Sequence, residues 1–309
     1  QYNFASTYFL DTGKGNHTVK FGAELLKEQS WEGYESRRGG SSNIEVRYNN
    51  TAPDRVIFGL PTATCEVGSL AAHSCLTSRA ALDQLGFFVN DTWSIGKASI
   101  NAGLRYDRYK GWLPEQEQIG ATVGRASVPA FTYAETDMFT WNVFAPRIGV
   151  VFDLTGDGKT VVKGNYGLYW HNPGAGVAGN ANPNIADKSS TWSWNDANRD
   201  KRWQPGEETT VITESLAGTI QLDPDISAPY THEASGWLER QITDTMGVRA
   251  GFVYKTEDNL ITPNNYQTLR GPEAYTAPFT FIDNGLDGVR GTADDRNVSM
   301  LGFPTANAA

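Results

Sequence analysis

The fold is decided by the stretch Ala98-Ser-Ile-Asn-Ala-Gly-Leu-Arg-Tyr-Asp-Arg-Tyr109. Its side chains alternate: Ile100, Ala102, Leu104 and Tyr106 face one way, and Asn101, Arg105 and Asp107 face the other. A period of two is the pattern of a β-strand with one apolar and one polar face. A second run, Gly86-Phe-Phe-Val-Asn-Asp-Thr-Trp93, precedes it across the short link Ser94-Ile-Gly-Lys97, so the two runs predict a β-hairpin.

The same design occurs three more times along the chain. Each further hairpin joins two alternating runs through a short turn: Tyr2–Phe9 with Thr18–Lys27, Asn142–Phe152 with Thr160–Trp170, and Glu233–Ile242 with Gly247–Lys255. Together these runs predict about eight strands of roughly ten residues each.

The connections alternate between tight turns and long loops. The long loops are expected at about 28–83, 111–138, 171–230 and 258–309. Short periplasmic turns, long extracellular loops and spanning strands of about 9–11 residues are typical of outer-membrane barrels. The sequence therefore predicts an all-β, antiparallel, up-and-down transmembrane β-barrel segment that contacts outer-membrane lipid. The alternative is a soluble β-sandwich, whose strands also alternate but average about five to six residues.

The composition of the chain excludes further classes of protein. The net charge of −9 and the isoelectric point near 5.0 disfavour a nucleic-acid partner. The mean hydropathy is −0.44, and there is no apolar run near the ~18 residues that a membrane helix needs. A barrel remains compatible because its strands alternate. Aromatic residues near strand ends predict an interfacial girdle: Trp93, Tyr106, Tyr109, Trp112, Tyr166, Tyr169, Trp170, Trp237 and Tyr254.

Several motifs carry a family resemblance. The run Gly86–Trp93 followed by Asn101-Ala-Gly-Leu-Arg-Tyr-Asp-Arg-Tyr109 resembles a hairpin of TonB-dependent outer-membrane receptors, specifically of the Oar-like group. Further similar segments are Phe144-Ala-Pro-Arg-Ile-Gly149, Asp153-Leu-Thr-Gly-Asp-Gly-Lys-Thr160, Lys163-Gly-Asn-Tyr-Gly167, Pro229-Tyr-Thr-His-Glu233 and Leu238-Glu-Arg-Gln241. The resemblance covers most strand-bearing segments from residue 17 to residue 261.

This resemblance implies an active-transport receptor that binds and passes a large, unidentified solute in a TonB-dependent manner. Such receptors have about 22 strands and a plugged lumen, and TonB is contacted through the plug region. The sequence shows no plug-like segment, no TonB box and no final aromatic-ended strand, so residues 1–309 are expected to be one partial barrel domain. A water-filled lumen would suit the polar residues expected to face inward: Asn101, Arg105, Asp107, Arg147, Lys163, Asn165 and Arg249.

The third long loop contains a candidate calcium site in Asp196-Ala-Asn-Arg-Asp-Lys-Arg-Trp-Gln-Pro-Gly-Glu207. Oxygen-bearing side chains stand at positions 1, 3, 5 and 12 of this run: Asp196, Asn198, Asp200 and Glu207. This is the spacing of an EF-hand loop, in which Arg202 at position 7 would contribute its backbone carbonyl. Lys201 stands where the sharp turn prefers glycine. The alternative is a solvated polar loop.

Two further loop features are candidate sites. Four carboxylates that would repel one another without a cation lie close in sequence, which predicts a second calcium site: Asp283, Asp287, Asp294 and Asp295.

Cys65 and Cys75 lie in the first long loop of an expected exported protein, which favours a disulfide between them. The alternative is metal ligation with His73.

Enzyme motifs fail along the chain, so no catalysis is expected. Ser94-Ile-Gly-Lys97 is a hairpin turn, and Gly236 stands where a zinc-protease motif beginning at His232 needs histidine. The alternative function is a secreted or surface calcium-binding β-protein acting in adhesion or glycan binding. For that function, loop aromatics could stack on sugars: Trp192, Trp194 and Trp203.

Overall fold

The computed structural model describes residues 1–34, 43–63, 76–261, 276–283 and 291–302. The chain forms two compact units, Gln1–Leu260 and Ile261–Ala309. Among the described residues, no helix has the length and hydrophobicity to cross a bilayer.

The described secondary structure is almost entirely β. In chain order the strands are β1 Tyr2–Thr12, β2 Gly15–Glu32, β3 Ile44–Asn49, β4 Ala52–Leu60, β5 Ser78–Ile95, β6 Ala98–Leu113, β7 Gln116–Gln118, β8 Ala121–Val123, β9 Ala126–Val128, β10 Phe131–Tyr133, β11 Thr136–Asp153, β12 Thr160–Trp170, β13 Lys188–Trp194, β14 Glu208–Ser215, β15 Tyr230–Gln241, β16 Gly247–Asp258, β17 Ala277–Asp283 and β18 Arg296–Gly302. A short helix, α1 Gly176–Asn180, lies between β12 and β13.

Eight of these strands form one antiparallel sheet in the order β1-β2-β5-β6-β11-β12-β15-β16. Each strand pairs with the next sheet strand along the chain, so the topology is up-and-down and the all-β prediction is confirmed. All eight predicted strands are present, and they are longer than expected, with lengths of 11 to 18 residues. The extra residues extend mainly the loop ends of β2, β5 and β11.

One face of this sheet, here called the outer face, is mainly apolar. In the strand registers Phe87 lies opposite Tyr106, and Tyr106 lies opposite Phe144. Large apolar side chains on this face are exposed, and the exposed fraction is 56% at Phe144 and 64% at Phe252. Since soluble proteins rarely expose so extended an apolar surface, the outer face is suited to lipid.

The predicted aromatic girdle is only partly correct. The registers place Trp93, Tyr106, Trp112, Tyr166, Trp170 and Tyr254 on the outer face. Three others, Tyr109, Tyr169 and Trp237, lie on the opposite or inner face. The physical reason is the period of two, because a one-residue offset moves a side chain to the other face of the sheet.

The long loops contain strands of their own, which the sequence analysis did not predict. Strands of the first and third long loops form a four-stranded sheet in the order β14-β13-β4-β3. The second long loop adds the hairpin β8-β9, and β7 pairs with β10. We call the assembly of β3, β4, β8, β9, β13 and β14 the loop subdomain.

The loop subdomain has its own hydrophobic core. Five buried residues from β4 and β9 form its centre: Val56, Phe58, Leu60, Ala126 and Val128. Partly buried side chains from all three loops pack around them, including Ile44, Val123 and Trp192. Burial of this surface stabilises a fixed arrangement of segments that are far apart in the sequence.

The second unit contains the hairpin β17-β18. Its strands pair antiparallel from Ala277 opposite Gly302 to Asp283 opposite Arg296. Phe279 and Phe281 on β17 stack with their ring centroids 6.2 Å apart.

Candidate functional site

The inner face of the large sheet carries the polar residues. The strand registers place all seven residues expected to face inward on this one face: Asn101, Arg105, Asp107, Arg147, Lys163, Asn165 and Arg249. A polar face opposite a lipid-facing one is the arrangement of a barrel wall that borders a lumen.

An ion-paired cluster lies on this face near the middle of β2, β5 and β6. Arg105 on β6 binds Asp107 through two hydrogen bonds, Nε to Oδ2 at 2.6 Å and Nη2 to Oδ1 at 2.7 Å. The same Nη2 atom donates to Glu24 Oε2 on β2 at 2.7 Å. Gln84 Nε2 on β5 donates to Asp107 Oδ1 at 3.0 Å. The cluster therefore joins three adjacent strands with charge-assisted bonds.

Glycine makes room for this cluster. Gly86 lies opposite Glu24 in one register and opposite Asp107 in the next. A Cβ atom at Gly86 would be 2.6 Å from Asp107 Oδ1 and 2.7 Å from Arg105 Nη2. The guanidinium can cross β5 at this position because glycine has no side chain to obstruct it.

A second polar cluster lies towards the turn end of the inner face. Lys163 Nζ donates to Glu239 Oε2 at 2.6 Å, and Arg249 Nε lies 3.3 Å from Glu239 Oε1. The Arg249 guanidinium also lies over the Trp237 ring, 3.7 Å from its centroid. The cluster combines an ion pair with a cation–π contact.

The third loop covers part of the inner face at its loop end. We call residues 171–187 the inner segment. Its Asn172 Nδ2 donates to Gln84 Oε1 at 3.3 Å, and the backbone N–H of Ala175 donates to Glu28 Oε1 at 3.0 Å. The inner segment is thus held by side chains of β2 and β5 that face the lumen.

A buried polar network joins the three long loops. Asn184 Nδ2 donates to the carbonyl oxygens of Thr77 at 2.9 Å and Glu117 at 3.1 Å. Asn182 Nδ2 donates to Gln116 Oε1 at 3.0 Å. The Lys188 ammonium, whose residue is 1% exposed, donates to Asn184 Oδ1 at 3.1 Å. Burial lowers the pKa of Lys188 to about 8.

The candidate calcium loop adopts a compact turn after β13. Asp196 accepts hydrogen bonds from the backbone N–H of Asp200 at 3.1 Å and of Lys201 at 3.0 Å. Asn198 Oδ1 accepts from the same N–H of Asp200 at 2.9 Å, and Asp200 Oδ1 accepts from the N–H of Arg202 at 2.8 Å. Lys201 has a φ of 59°, the left-handed conformation for which glycine is preferred at this position. The side chains at positions 1, 3 and 5 therefore converge on one turn.

Glu207, at position 12, is directed elsewhere. Its Oε2 atom accepts hydrogen bonds from Trp194 Nε1 at 3.0 Å and from the Gln204 N–H at 2.9 Å. Within the described ranges, no group of three or more His, Cys, Asp or Glu side chains is placed to hold a metal ion. Calcium coordination by this loop would thus need Glu207 to turn towards the other three side chains.

The structure describes only part of the second candidate calcium site and neither of the two cysteines. Asp283 ends β17, where its Oδ2 lies 3.7 Å from Arg296 Nε. Asp295 Oδ2 accepts a hydrogen bond from the Gly291 N–H at 2.7 Å, and Thr292 Oγ1 donates to Asp294 Oδ1 at 2.7 Å. Asp287, Cys65 and Cys75 lie outside the described residues.

The tryptophans proposed for sugar stacking are occupied by other contacts. Trp203 packs edge-on against Phe58, with ring centroids 5.4 Å apart, and Trp192 lies under the Arg125 guanidinium at 5.5 Å. Trp194 is 5% exposed. Their large apolar surface is used in or beside the subdomain core, which the sequence alone could not reveal.

Sequence reasoning missed several residues of these clusters. Glu24 and Glu28 could have been found by continuing the alternation of β2, where apolar Ala23 and Leu25 face the other side. Lys188 and its asparagine partners carry no such signal, because their burial depends on three loops meeting.

These features define the wall of a membrane-embedded β-barrel with a polar inner face and folded outer loops. The family model described as outer membrane beta barrel domain matches residues 1–297, so the chain belongs to this family. The protein is accordingly located in the outer membrane of a Gram-negative bacterium. No curated protein matches the chain.

Proposed function

We propose that this chain is part of an outer-membrane active-transport receptor, whose barrel binds and passes a large solute in a TonB-dependent manner. The observation that carries the proposal is the inner face, where the cluster of Glu24, Arg105 and Asp107 lies below a segment of the third loop. A hydrated, charged wall suits passage of a polar solute. The short-motif resemblance to Oar-like receptors supports the same interpretation. We propose no catalytic step.

The outer loops support a receptor role rather than that of an open pore. Three long loops share one hydrophobic core and one buried polar network, so they present a defined surface at the loop end. A preorganised surface binds with a smaller loss of conformational entropy than mobile loops do. In this proposal the solute first contacts the loop subdomain, and displacement of the inner segment then opens the lumen beside it.

TonB is proposed to act through a plug region outside these residues. To test this, the full-length protein is purified from outer membranes in detergent, and binding of the purified periplasmic domain of TonB is measured by biolayer interferometry. We expect saturable binding, with a porin from the same membrane as the negative control. Failure of the full-length protein to bind above the porin level would overturn TonB dependence.

Calcium and a disulfide are proposed to stiffen the loops. The convergence of Asp196, Asn198 and Asp200 on one turn supports calcium binding in the third loop. The carboxylates Asp283, Asp287, Asp294 and Asp295 are proposed as a second site. For Cys65 and Cys75, peptide mapping without reduction should recover the two cysteine peptides as one linked mass, whereas two free thiols would contradict the pairing.

The alternative is a surface protein that binds calcium and acts in adhesion or glycan binding. The observation in its favour is the loop subdomain, which has a hydrophobic core separate from the large sheet. Adhesion that is unchanged in a strain lacking TonB, together with absent TonB binding, would favour this alternative over transport.

A further inference from the structure

A pocket opens on the loop subdomain, apart from the inner face. It lies between the β3–β4 turn and the loop that follows β13, and its volume is about 440 Å³. Small-molecule sites typically have volumes of about 300–1,000 Å³. We call it the loop pocket, and its lining residues are Thr51, Ala52, Pro53, Trp194, Asn195, Asp196, Arg199 and Lys201.

The lining of the loop pocket contains two cations and one carboxylate, although the protein carries a net charge of −9. Arg199 and Lys201 are exposed, and neither side chain has an acidic partner among the described residues. The carboxylate of Asp196 accepts two backbone N–H bonds, at 3.1 and 3.0 Å, which partly compensate its charge. Two unpaired cations beside one compensated carboxylate favour an anionic ligand.

Backbone strain is concentrated at this pocket. Among the described residues, five non-glycine positions have positive φ, and four of them lie in or next to the pocket: Asn50 at 47°, Thr51 at 68°, Arg199 at 61° and Lys201 at 59°. Thr51 is the most unusual, because a β-branched residue rarely adopts this conformation. Glycine would adopt each of these conformations at lower cost. Asn50 and Thr51 are the two central residues of the β3–β4 hairpin turn, which requires positive φ at both positions, so the unusual feature is the choice of threonine there.

The strained segments are fixed to each other. The Tyr48 hydroxyl donates to the carbonyl oxygen of Lys201 at 2.6 Å, which ties β3 to the third loop. The Tyr48 ring also packs edge-on against Trp194, with centroids 5.3 Å apart. The backbone N–H of Asn195 donates to the carbonyl oxygen of Glu207 at 2.9 Å. The pocket is therefore preorganised by contacts that lie outside its cavity.

We propose that the loop pocket binds an acidic saccharide, a hydroxylated ring that bears a carboxylate or phosphate group. Arg199 and Lys201 would bind the oxyanion, since both donate charge-assisted hydrogen bonds. The Thr51 hydroxyl and the Asn195 amide can bind ring hydroxyl groups, and Pro53 offers a small apolar surface. This proposal concerns the loop subdomain alone and does not depend on TonB or on transport.

The test uses isothermal titration calorimetry to measure the binding of small molecules to the full-length protein, in detergent and calcium-containing buffer. Three probes are compared: digalacturonate, its neutral dimethyl ester, and glucose 6-phosphate. Digalacturonate, glucose 6-phosphate or both should bind at least tenfold more tightly than the ester. The acid that binds identifies the carboxylate or the phosphate as the preferred anion. Equal affinity for the ester, or no binding of either acid, would overturn the proposal.

Two matched variants separate charge from loop shape. Lys201→Gly removes the cation but favours the left-handed backbone, and Arg199→Gln removes the other cation; each should weaken binding of the acid at least tenfold. Arg47→Gln removes an exposed charge from β3 of the same subdomain, outside the pocket lining, and should leave binding within twofold of the wild type. Equal losses in all three variants, or full binding by Lys201→Gly, would contradict the assignment.

Inorganic phosphate provides the last control. Because the hydroxyl and amide donors should contribute, phosphate is expected to compete at least tenfold less effectively than the saccharide acid that binds. Equal competition would show a site for bare anions and would overturn the saccharide part of the proposal.

Discussion

Arg105 and Glu24 are joined across an intervening strand, with Nη2 and Oε2 2.7 Å apart. They belong to β6 and β2, and β5 runs between them with Gly86 at the crossing. The side chain of Asp107 in this cluster is only 5% exposed, so its charge depends on the guanidinium for compensation. A single glycine thus permits an ion-paired bridge over three strands of the inner face.

The first prediction concerns that glycine. Gly86→Ala should displace the Arg105 guanidinium, because the new Cβ would lie 2.7 Å from Nη2. We expect a destabilisation of about 1–3 kcal/mol, as for other overpacked sites. The measurement is thermal unfolding of the full-length protein in detergent. Gly149→Ala, on the same face, is the matched control, since its Cβ would lie 3.8 Å from its nearest neighbour, the Gly164 carbonyl oxygen. Equal destabilisation by both variants would contradict this account.

The second prediction concerns the removal of the Arg105 guanidinium. Arg105→Met leaves Asp107 and Glu24 without their shared partner and should destabilise the protein by about 2–4 kcal/mol. Lys255→Met removes a cation from the more exposed pair Lys255–Glu257, with N–O distance 2.9 Å, and should leave the stability almost unchanged, because exposed ion pairs contribute little. Chemical unfolding of both variants in the same detergent gives the comparison. A loss at Arg105 no larger than at Lys255 would count against a structural role for the cluster.

The third prediction is a pH dependence that arises from Lys188. Burial lowers its folded-state pKa to about 8 from an ordinary value of 10.5, so the unfolded state binds more protons between these two pH values. Stability of the loop subdomain should therefore rise as the pH increases from about 8 to 10.5, by roughly 3 kcal/mol at most. Below pH 8 the cost of burying the charge is fully present.

Tryptophan fluorescence during thermal unfolding, repeated at pH 7, 8, 9 and 10, measures this effect. The variant Lys188→Met should lack the rise, whereas Lys159→Met, which changes an exposed lysine in a turn of the large sheet, should retain it. A rise of the same size in Lys188→Met would assign it to another group.

The fourth prediction tests calcium in the third loop. Terbium luminescence sensitised by nearby tryptophans should report binding to the wild-type protein, and calcium should displace the terbium. The double variant Asp196→Asn with Asp200→Asn should bind at least tenfold more weakly, because two of the anionic ligands are lost. Asp157→Asn, in a turn between β11 and β12, should have no effect. Loss of the terbium luminescence in Asp157→Asn alone, or its absence from the wild-type protein and every variant, would rule out this site.

The strands of the large sheet were predictable because their signal is local. Alternation over ten residues identified β6 and β12 with nearly correct bounds, since lipid on one side and polar groups on the other require it in every strand. The loop subdomain was not predictable in the same way. Its strands β8 and β9 have three residues each, which is too short for a period to appear.

The candidate sites also differ in whether they depend on one segment of the sequence or on several distant ones. The calcium spacing from Asp196 to Glu207 is a property of one contiguous segment, and so the sequence could suggest it. The loop pocket is not such a property, because Thr51 and Lys201 come from different loops that meet only when the subdomain folds. Lys188 likewise looks like any surface lysine until β4 and β13 pair around it.

The sequence by itself determined the class of fold, the number and order of the membrane strands, and which face each residue of the inner polar set occupies. Only the tertiary structure decided that the long loops share a core, that Arg105 reaches Glu24 over Gly86, and that strained residues of two loops line one pocket. The physical reason is the sequence separation of the interacting residues. Strand alternation is local, because the surrounding lipid and water impose it on each residue in turn. Contacts between distant loops instead depend on hydrophobic burial and hydrogen bonds that exist only after the chain has brought them together.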